Sequence, residues 1–385
     1  MEFKSTTSTS IDPEQVVRQL TDHVGNDFDM GVLFITPHSK SHIEDIARRL
    51  HEEVNIKNFV ACTSAGVIGS EVELENHPAA VLFLAKLPEA KIKPFFIDQK
   101  QIEKFSLDQD FHNFFDIYPQ DNPTFFLFPD PFLVDLNRFI LGMNKAYAGS
   151  AIVGGLASGA SSAKGNVLMI NQQSYNQGII GMVVSGDVKM DVIVSQGCRP
   201  VGESYIVTKA EKNIIYEIAG EPFLHVLRKI FLKLSDEEQK LIQQALLIGV
   251  VTNEYKHDLS RGDFLIRSVT GVDQETGAVS IGDVIKPGQT IQIHIRDAKT
   301  AKDDLTQLLT SFQKKMKTSK PRGAMIFSCN GRGAGLFKEP NHDIKLIQKY
   351  IGPIPVSGFF SVGEIGPIGG KNFIHGFTDS IVVFS

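Results

Sequence analysis

The run Ser328, Cys329, Asn330, Gly331, Arg332, Gly333 sets a thiol, a carboxamide and a guanidinium among glycines. A guanidinium is a rigid fork that matches a carboxylate or phosphate, and the flanking glycines let the backbone turn sharply toward a ligand. Arg199, in GCRP, is a second candidate for the same anionic group. Asn330 and Glu364 would hydrogen-bond polar or ammonium groups, Phe359 would cover an apolar part, and Thr63, Ser64 and His375 complete the candidate ligand set. A structural alternative stands beside this one: Arg332 pairs with a buried acid such as Glu364, and Cys329 is a small core residue. Cys329, His375 and Glu364 also supply the residue types of a thiol nucleophile, its base and an orienter, with no known nucleophile motif around the cysteine. No GxxxxGK[ST] occurs, which excludes a P-loop, and no HExxH occurs. Cys62, Cys198 and Cys329 lie too far apart for a CxxC metal site or a disulfide framework. Haem needs only one axial histidine, so His38, before a helix, and His375, near the C-terminus, are the candidates for that cofactor, with no cofactor as the main expectation.

These residues fall at the ends of apolar runs. GVLFI (31–35) meets a Pro/Ser loop, then a segment with Ile43, Ile46, Ala47, Leu50 and Val54 at helical spacing, then FVAC (59–62) ending in TSAG. The order returns with TFFLF (124–128), the loop PDP, a stripe of Leu136, Phe139, Ile140, Met143 and Tyr147, and AIVGGLASG (151–159). It returns again with GAMIF (323–327), SCNGRGAG, a stripe of Ile344, Ile347 and Ile351, and PVSGFFSVGEIG (355–366). One more apolar run closes each passage: AVLFLA (80–85), IIGMVV (179–184) and SIVVF (380–384). The pattern predicts an α/β protein of repeated β-α-β units forming two mixed sheets with flanking helices, each pair of strands parallel. Ligands of such units sit beyond the carboxyl ends of the strands, here in the loops at 36–39, 63–66, 129–131, 154–159, 328–333 and 359–364. The stretch 191–297 reads differently: short β-type runs beginning with DVIVS, a turn at QGCRPVGE and Gly/Pro punctuation predict an antiparallel insertion in the C-terminal half. The opening MEFKSTTSTS is expected to be loose, and Asp12 with Pro13 to start a helix.

With 39 basic against 44 acidic residues the net charge is −5, and no Lys/Arg cluster marks a nucleic-acid surface. No apolar stretch is long enough for a membrane helix, and the N-terminus lacks the apolar core of a signal peptide. A cytoplasmic protein with small-molecule or protein partners, and no nucleic-acid or membrane partner, is expected.

GCRPVGESYIVTKAEKNIIYEIAGEPFLHVL (197–227), SCNGRG (328–333) and GFFSVGEIGPIGGKNFIHGFTDSIVVF (358–384) resemble the FIST sensory domain, named for F-box and intracellular signal transduction proteins, as do NFVACTSAGVIG and IVGGLASG. The resemblance runs from about residue 28 to the end. It implies a FIST N-terminal domain (28–220) and a FIST C-terminal domain (221–385) after an N-terminal tail and helix (1–27). It also implies a small ligand, such as an amino acid, and the cleft at the junction of two halves built from related units is its expected position. Family members work beside kinase, cyclase or chemotaxis output domains; some bind haem, sense nitric oxide and control a histidine kinase, and others carry an F-box. Neither an output domain nor an F-box is recognisable here, so the expected partner is a separate signalling protein such as a histidine kinase.

Overall fold

The apolar runs become strands and the striped segments helices, in the order β1 (Glu2–Ser8), α1 (Pro13–Thr21), β2 (Phe28–Ile35), α2 (Ile43–Val54), β3 (Ile56–Thr63), a hairpin of β4 (Gly66–Ile68) and β5 (Glu73–Glu75), and β6 (Ala80–Lys86). A second passage runs β7 (Ala90–Ile97), α3 (Gln99–Lys104), α4 (Asp108–Phe115), β8 (Thr124–Pro129), α5 (Leu136–Ala146), β9 (Ile152–Gly155), a hairpin of β10 (Leu168–Ile170) and β11 (Gln173–Tyr175), and β12 (Ile179–Gly186). After β13 (Met190–Ser195) come β14 (Cys198–Glu211), β15 (Ile214–Ile218), β16 (Glu221–Pro222), α6 (Phe223–Phe231), α7 (Asp236–Gln244), β17 (Leu247–Val251), β18 (Phe264–Val272), β19 (Val279–Ile281) and β20 (Thr290–Arg296). The chain then closes with α8 (Ala298–Lys315), β21 (Gly323–Cys329), α9 (Gly333–Phe337), α10 (His342–Ile351), β22 (Val356–Ser361), a hairpin of β23 (Glu364–Ile368) and β24 (Lys371–His375), and β25 (Asp379–Phe384). This is a computed structural model, and it describes residues 1–256, 258–259, 262–316 and 319–385.

The chain divides into two compact units, Met1–Val194 with Thr306–Ser385, and Ser195–Leu305. That division differs from the one expected at 220/221. In the larger unit the strand–helix–strand passages give three parallel pairs, β2 with β3, β8 with β9 and β21 with β22. They do not form two sheets. Three six-stranded mixed sheets share one plan: β1-β6-β2-β3-β10-β11, β7-β12-β8-β9-β23-β24 and β13-β25-β21-β22-β4-β5. In each, the last two strands are a hairpin contributed by a different passage. The hairpin β4–β5 leaves the first passage for β22, β10–β11 leaves the second for β3, and β23–β24 leaves the third for β9.

Both faces of these sheets are covered, which is why the strands read as continuous apolar runs rather than alternating ones. One face of all three meets in a shared core, where Phe34 lies 4.6 Å from Phe359 and 5.4 Å from Phe128 between ring centres. The other faces carry the helices: α1 and α2 cover the first sheet through Val16, Leu20, Ile46 and Leu50, and α5 covers the second through Phe139 and Met143. Asp12 starts α1 by accepting from the Gln15 N–H at 2.9 Å, with Pro13 in the first turn where its missing N–H costs nothing.

Three local expectations change. The opening residues are not loose: β1 pairs antiparallel with β6 from Glu2↔Lys86 to Ser8↔Ala80, anchored by Phe3 against Phe83 and Phe384. DVIVS does not open the antiparallel region; it lies within β13, beside β25. The expected turn at GCRP is strand, with Arg199 opposite Ile295 in β14 and an irregularity only between Val201 and Ser204. The smaller unit is a seven-stranded antiparallel sheet, β14-β20-β17-β18-β19-β15-β16, closed by a β14–β15 pairing into a barrel-like form around Ile215, Phe223, Ile248 and Ile293.

Candidate functional site

The carboxyl-end loops of the three sheets converge within the larger unit. Pro37 and His38 follow β2, Ala65 follows β3, Asn76 follows β5, Ser158 to Ser161 follow β9, Asn330 follows β21 and Val362 follows β22; together they line a cleft of about 560 Å³. Ser158 ties its walls together, its hydroxyl accepting from the Ala65 N–H at 2.9 Å and donating to the Phe360 carbonyl. Asn76 stands at φ +57°, a left-handed conformation that a carboxamide tolerates better than most side chains. Apart from His38, whose Nδ1 lies 3.2 Å from the Thr36 hydroxyl, the lining carries no ionisable side chain.

Two polar networks sit behind these loops. In one, buried Thr63 and Asn166 share a 3.1 Å hydrogen bond, Asn166 Nδ2 donates to buried Asp130 at 3.0 Å, and the Val167 N–H donates to Thr63 Oγ1. In the other, Arg332 is fully buried: Nε and Nη2 donate to the two Asp343 oxygens at 2.8 and 2.9 Å, and Nη2 lies 2.7 Å from Asp379. Gly333, at φ +60°, permits the turn into α9, whose Phe337 ring covers the guanidinium at 5.3 Å and stacks on His342. A Cβ at Gly333 would collide with Glu75, whose carboxylate accepts from the Ala334 N–H. Glu73, from the same hairpin, accepts from the Ile344 N–H at 2.8 Å.

One guanidinium shared among several buried acids splits their titration. Burial opposes the charge on Asp343, but Arg332 and its hydrogen bonds outweigh it and hold this carboxyl down at about 2. Burial pushes Glu73 up to about 7, helped by repulsion from Asp343. Glu364 and Asp379 are pushed well above the usual carboxylate range, by burial first and for Asp379 by Asp343 as well. The cluster therefore holds protons on some acids while Arg332 and Asp343 stay charged.

The expected site residues are not brought together as one set. Of the expected ligand-binding residues Asn330 lines the cleft, as does the haem candidate His38. Thr63 and Ser64 are buried behind it, and Phe359 is in the shared core rather than over a ligand surface. Glu364 and His375 are buried register partners on β23 and β24, with His375 Nε2 2.9 Å from the Gly366 carbonyl. Cys329 is half-buried, its sulfur facing the Gly331 N–H at 3.4 Å. Arg332 takes the structural alternative, with Asp343 and Asp379 as its partners in place of Glu364. Arg199 belongs to the smaller unit, where it pairs with Glu238 at 2.9 Å and lies 3.9 Å from Asp297. Asn76, Ser158 and Ser161 line the cleft but stand outside the expected set, as do Asp343, Asp379 and Glu73 of the buried cluster. A carboxylate heading an apolar run, as in DSIVVF, was the available signal.

Haem does not fit the residues offered for it. His375 is enclosed with a ring nitrogen turned to a carbonyl, and exposed His38 lines an open cleft where Asn and Ser side chains mix with Pro37, Ala65, Ala160 and Val362, rather than an enclosed apolar slot. His38 and His42 stand four residues apart in the 3-10 turn Pro37–His42, yet among the described residues no group of three His, Cys, Asp or Glu is placed to hold a metal ion.

Compared with known proteins, residues 29–221 match the FIST N domain and residues 224–367 the FIST C domain. The chain belongs to the FIST family. FIST domains are sensory rather than catalytic, and are associated with signal transduction and small-ligand sensing. The boundary between the FIST N and FIST C segments falls inside the smaller unit, at β16 and α6. An uncharacterized protein of Mycobacterium tuberculosis (strain H37Rv) is 36% identical over 90% of this chain and 89% of its own length. Another from Mycobacterium bovis is 34% identical over 90% and 88%, and one from Methanocaldococcus jannaschii 21% identical over 86% and 69%. No helix among the described residues is long and apolar enough to cross a membrane.

Proposed function

We propose that this FIST protein is a sensor that binds a small polar molecule in the cleft at the carboxyl ends of its three sheets and passes occupancy to a separate signalling protein, with a histidine kinase as the candidate class. The observation that carries the reading is the convergence of loops from all three sheets on one cleft. Carboxamides, hydroxyls and backbone groups there suit hydrogen bonding, and amino acids form the first panel of ligands to try. Occupancy has a route into the fold, since Asn76 follows Glu75 and Asn330 precedes Arg332 by two residues. A ligand drawing on both asparagines bears on the junction between the β4–β5 hairpin and α9.

The test is a calorimetric screen of the purified chain against amino acids and other small polar molecules, repeated on Asn330→Leu. Both Asn330 and Ser161 are exposed, so Asn330→Leu and Ser161→Leu should keep the melting temperature while weakening binding at least about tenfold, the scale of one lost charged or well-placed hydrogen bond. A ligand whose affinity neither substitution touches rules the cleft out.

A further inference from the structure

The larger unit has a second concavity, of about 690 Å³, at the amino end of β22. One wall is a face of α10, with Ile344, Lys345, Gln348 and Lys349; the other is Lys4 and Ser5 of β1 with Ser70 and Glu71 of the β4–β5 turn. Pro353, Ile354 and Pro355 complete the lining. Hydrogen bonds stiffen the groove. Gln348 Nε2 donates to the Ser70 and Ile354 carbonyls at 2.6 and 3.0 Å, and the Ser70 and Ser5 hydroxyls donate to the Val356 carbonyl.

Charge is uneven here. Lys4, Lys345 and Lys349 face a single lining carboxylate, Glu71, on a protein whose net charge is −5. Lys4 has only a 3.8 Å contact with Glu2, Lys345 donates to the Pro340 carbonyl, and Lys349 lies over the Tyr350 ring. Pro353, Ile354 and Pro355 provide an apolar surface among these ammonium groups, over the buried Ile344. The lysines stand on two elements at opposite walls, an arrangement that follows an extended chain rather than enclosing one small anion.

We infer that this groove docks an acidic, apolar-containing peptide segment of a partner protein, its carboxylates on Lys4, Lys345 and Lys349 and an apolar side chain against Pro353, Ile354 and Pro355. Complementary charge sets the register and speeds the encounter, and the apolar contact supplies the anchor. The inference names the contact for the partner proposed above, but it stands on residues that do not line the ligand cleft.

The experiment is a peptide-display selection on the full chain, followed by affinity measurements on the selected peptides with no cleft ligand present. Selected sequences should be enriched in Asp and Glu around a Leu, Ile or Phe. Their binding should weaken at least about tenfold in Lys345→Glu/Lys349→Glu, and should fall from about 0.05 M to about 0.5 M salt as surface charges are screened. Ile354→Asp should cost a similar factor with the lysines intact, which separates an anchored peptide from a diffuse attraction to positive charge. Circular dichroism melts confirm that each variant is folded. Selected peptides that lack acidic residues, or that bind the charge-reversed variant unchanged, overturn the inference. Because the cleft substitutions Asn330→Leu and Ser161→Leu leave the groove intact, failure here and failure of the ligand reading are read independently.

Discussion

The hairpins β4–β5 and β23–β24 solve the same problem with different chemistry at their most polar points. Each leaves its own passage to complete another sheet, and each must bury polar groups where it docks. At β23–β24, where Glu364 is also buried opposite Gly155 of β9, neutral amides hold the turn end: buried Asn372 accepts from the Ile152 N–H, donates to the Ser150 carbonyl and pairs mutually with Asn144, all between 2.8 and 3.0 Å. At β4–β5 the work falls to ionisable groups, with the Arg332–Asp343 ion pair and Asp379 buried beside Glu73 and Glu75 of the hairpin. An amide pair is satisfied at any pH and needs no counterion. A buried ion cluster is strong only while every partner is present and correctly protonated, so the charged junction is the one that conditions can alter.

Breaking the charged junction should have the largest effect. Arg332→Met leaves Asp343 and Asp379 without their cation, and breaking such a buried pair costs about 3–5 kcal/mol. Chemical denaturation should show a loss of that size or no folded protein; a loss under about 1 kcal/mol would mean that the cluster is not a stabilising pair. Asn372→Ala should cost less, about 2–3 kcal/mol, because it strands the Ile152 N–H and the Asn144 amide but no charge. If it equals or exceeds the arginine substitution, the contrast between the junctions is lost.

pH sharpens the comparison further. Glu73 is pushed up to about 7 in the folded protein from 4.5, so its contribution is fully present below pH 4.5 and is lost as pH rises through 7. Glu364 and Asp379 shift the same way, whereas Asp343, held at about 2, favours the fold above 3.8 and loses its effect as pH falls toward 2. Glu73→Gln, which mimics the protonated acid, should shrink the fall in melting temperature between pH 5 and pH 8. An identical fall in the variant would remove Glu73 from the account, and the Asn372→Ala variant should keep the pH profile of the parent. The smallest effect should come from Ser70→Ala. That hydroxyl accepts from the Val356 N–H at 3.0 Å, and its loss should cost about 1 kcal/mol by the same denaturation measurement.

Local structure was the legible part of the fold. GVLFI, TFFLF and GAMIF announce strands through unbroken apolarity, and the stripe Ile43, Ile46, Ala47, Leu50 announces α2. The number of sheets was hidden, because a three-residue strand such as Gly66–Ile68 carries too few residues to show which distant strand it will join. The start was misread for a related reason: EFKSTTS looks polar, and only Phe3 shows that one face is buried. Glycine and serine marked the loops that line the cleft, but cleft-lining residues and buried supports share the same residue types. Arg332 had the sequence surroundings of an anion receptor, and its partners Asp343 and Asp379 became evident only when strand pairing brought Ser328 opposite Asp379.

The traded hairpins also constrain the order of events as the chain leaves the ribosome. Val67 emerges early, yet its ladder partner is Phe359, and Ser5 must wait for Val356 and Ser357. Until the last strands appear, the β4–β5 hairpin and the outer edge at β9 have no neighbour, and unpaired edges are templates for pairing with the wrong chain. A nascent chain halted near residue 221 would carry the FIST N segment with the third sheet absent, and such fragments are expected to depend on chaperones or to aggregate. Synthesis of the final strands thus acts as a checkpoint: only a chain made to β25 can seat Arg332 against Asp379 and close all three sheets at once.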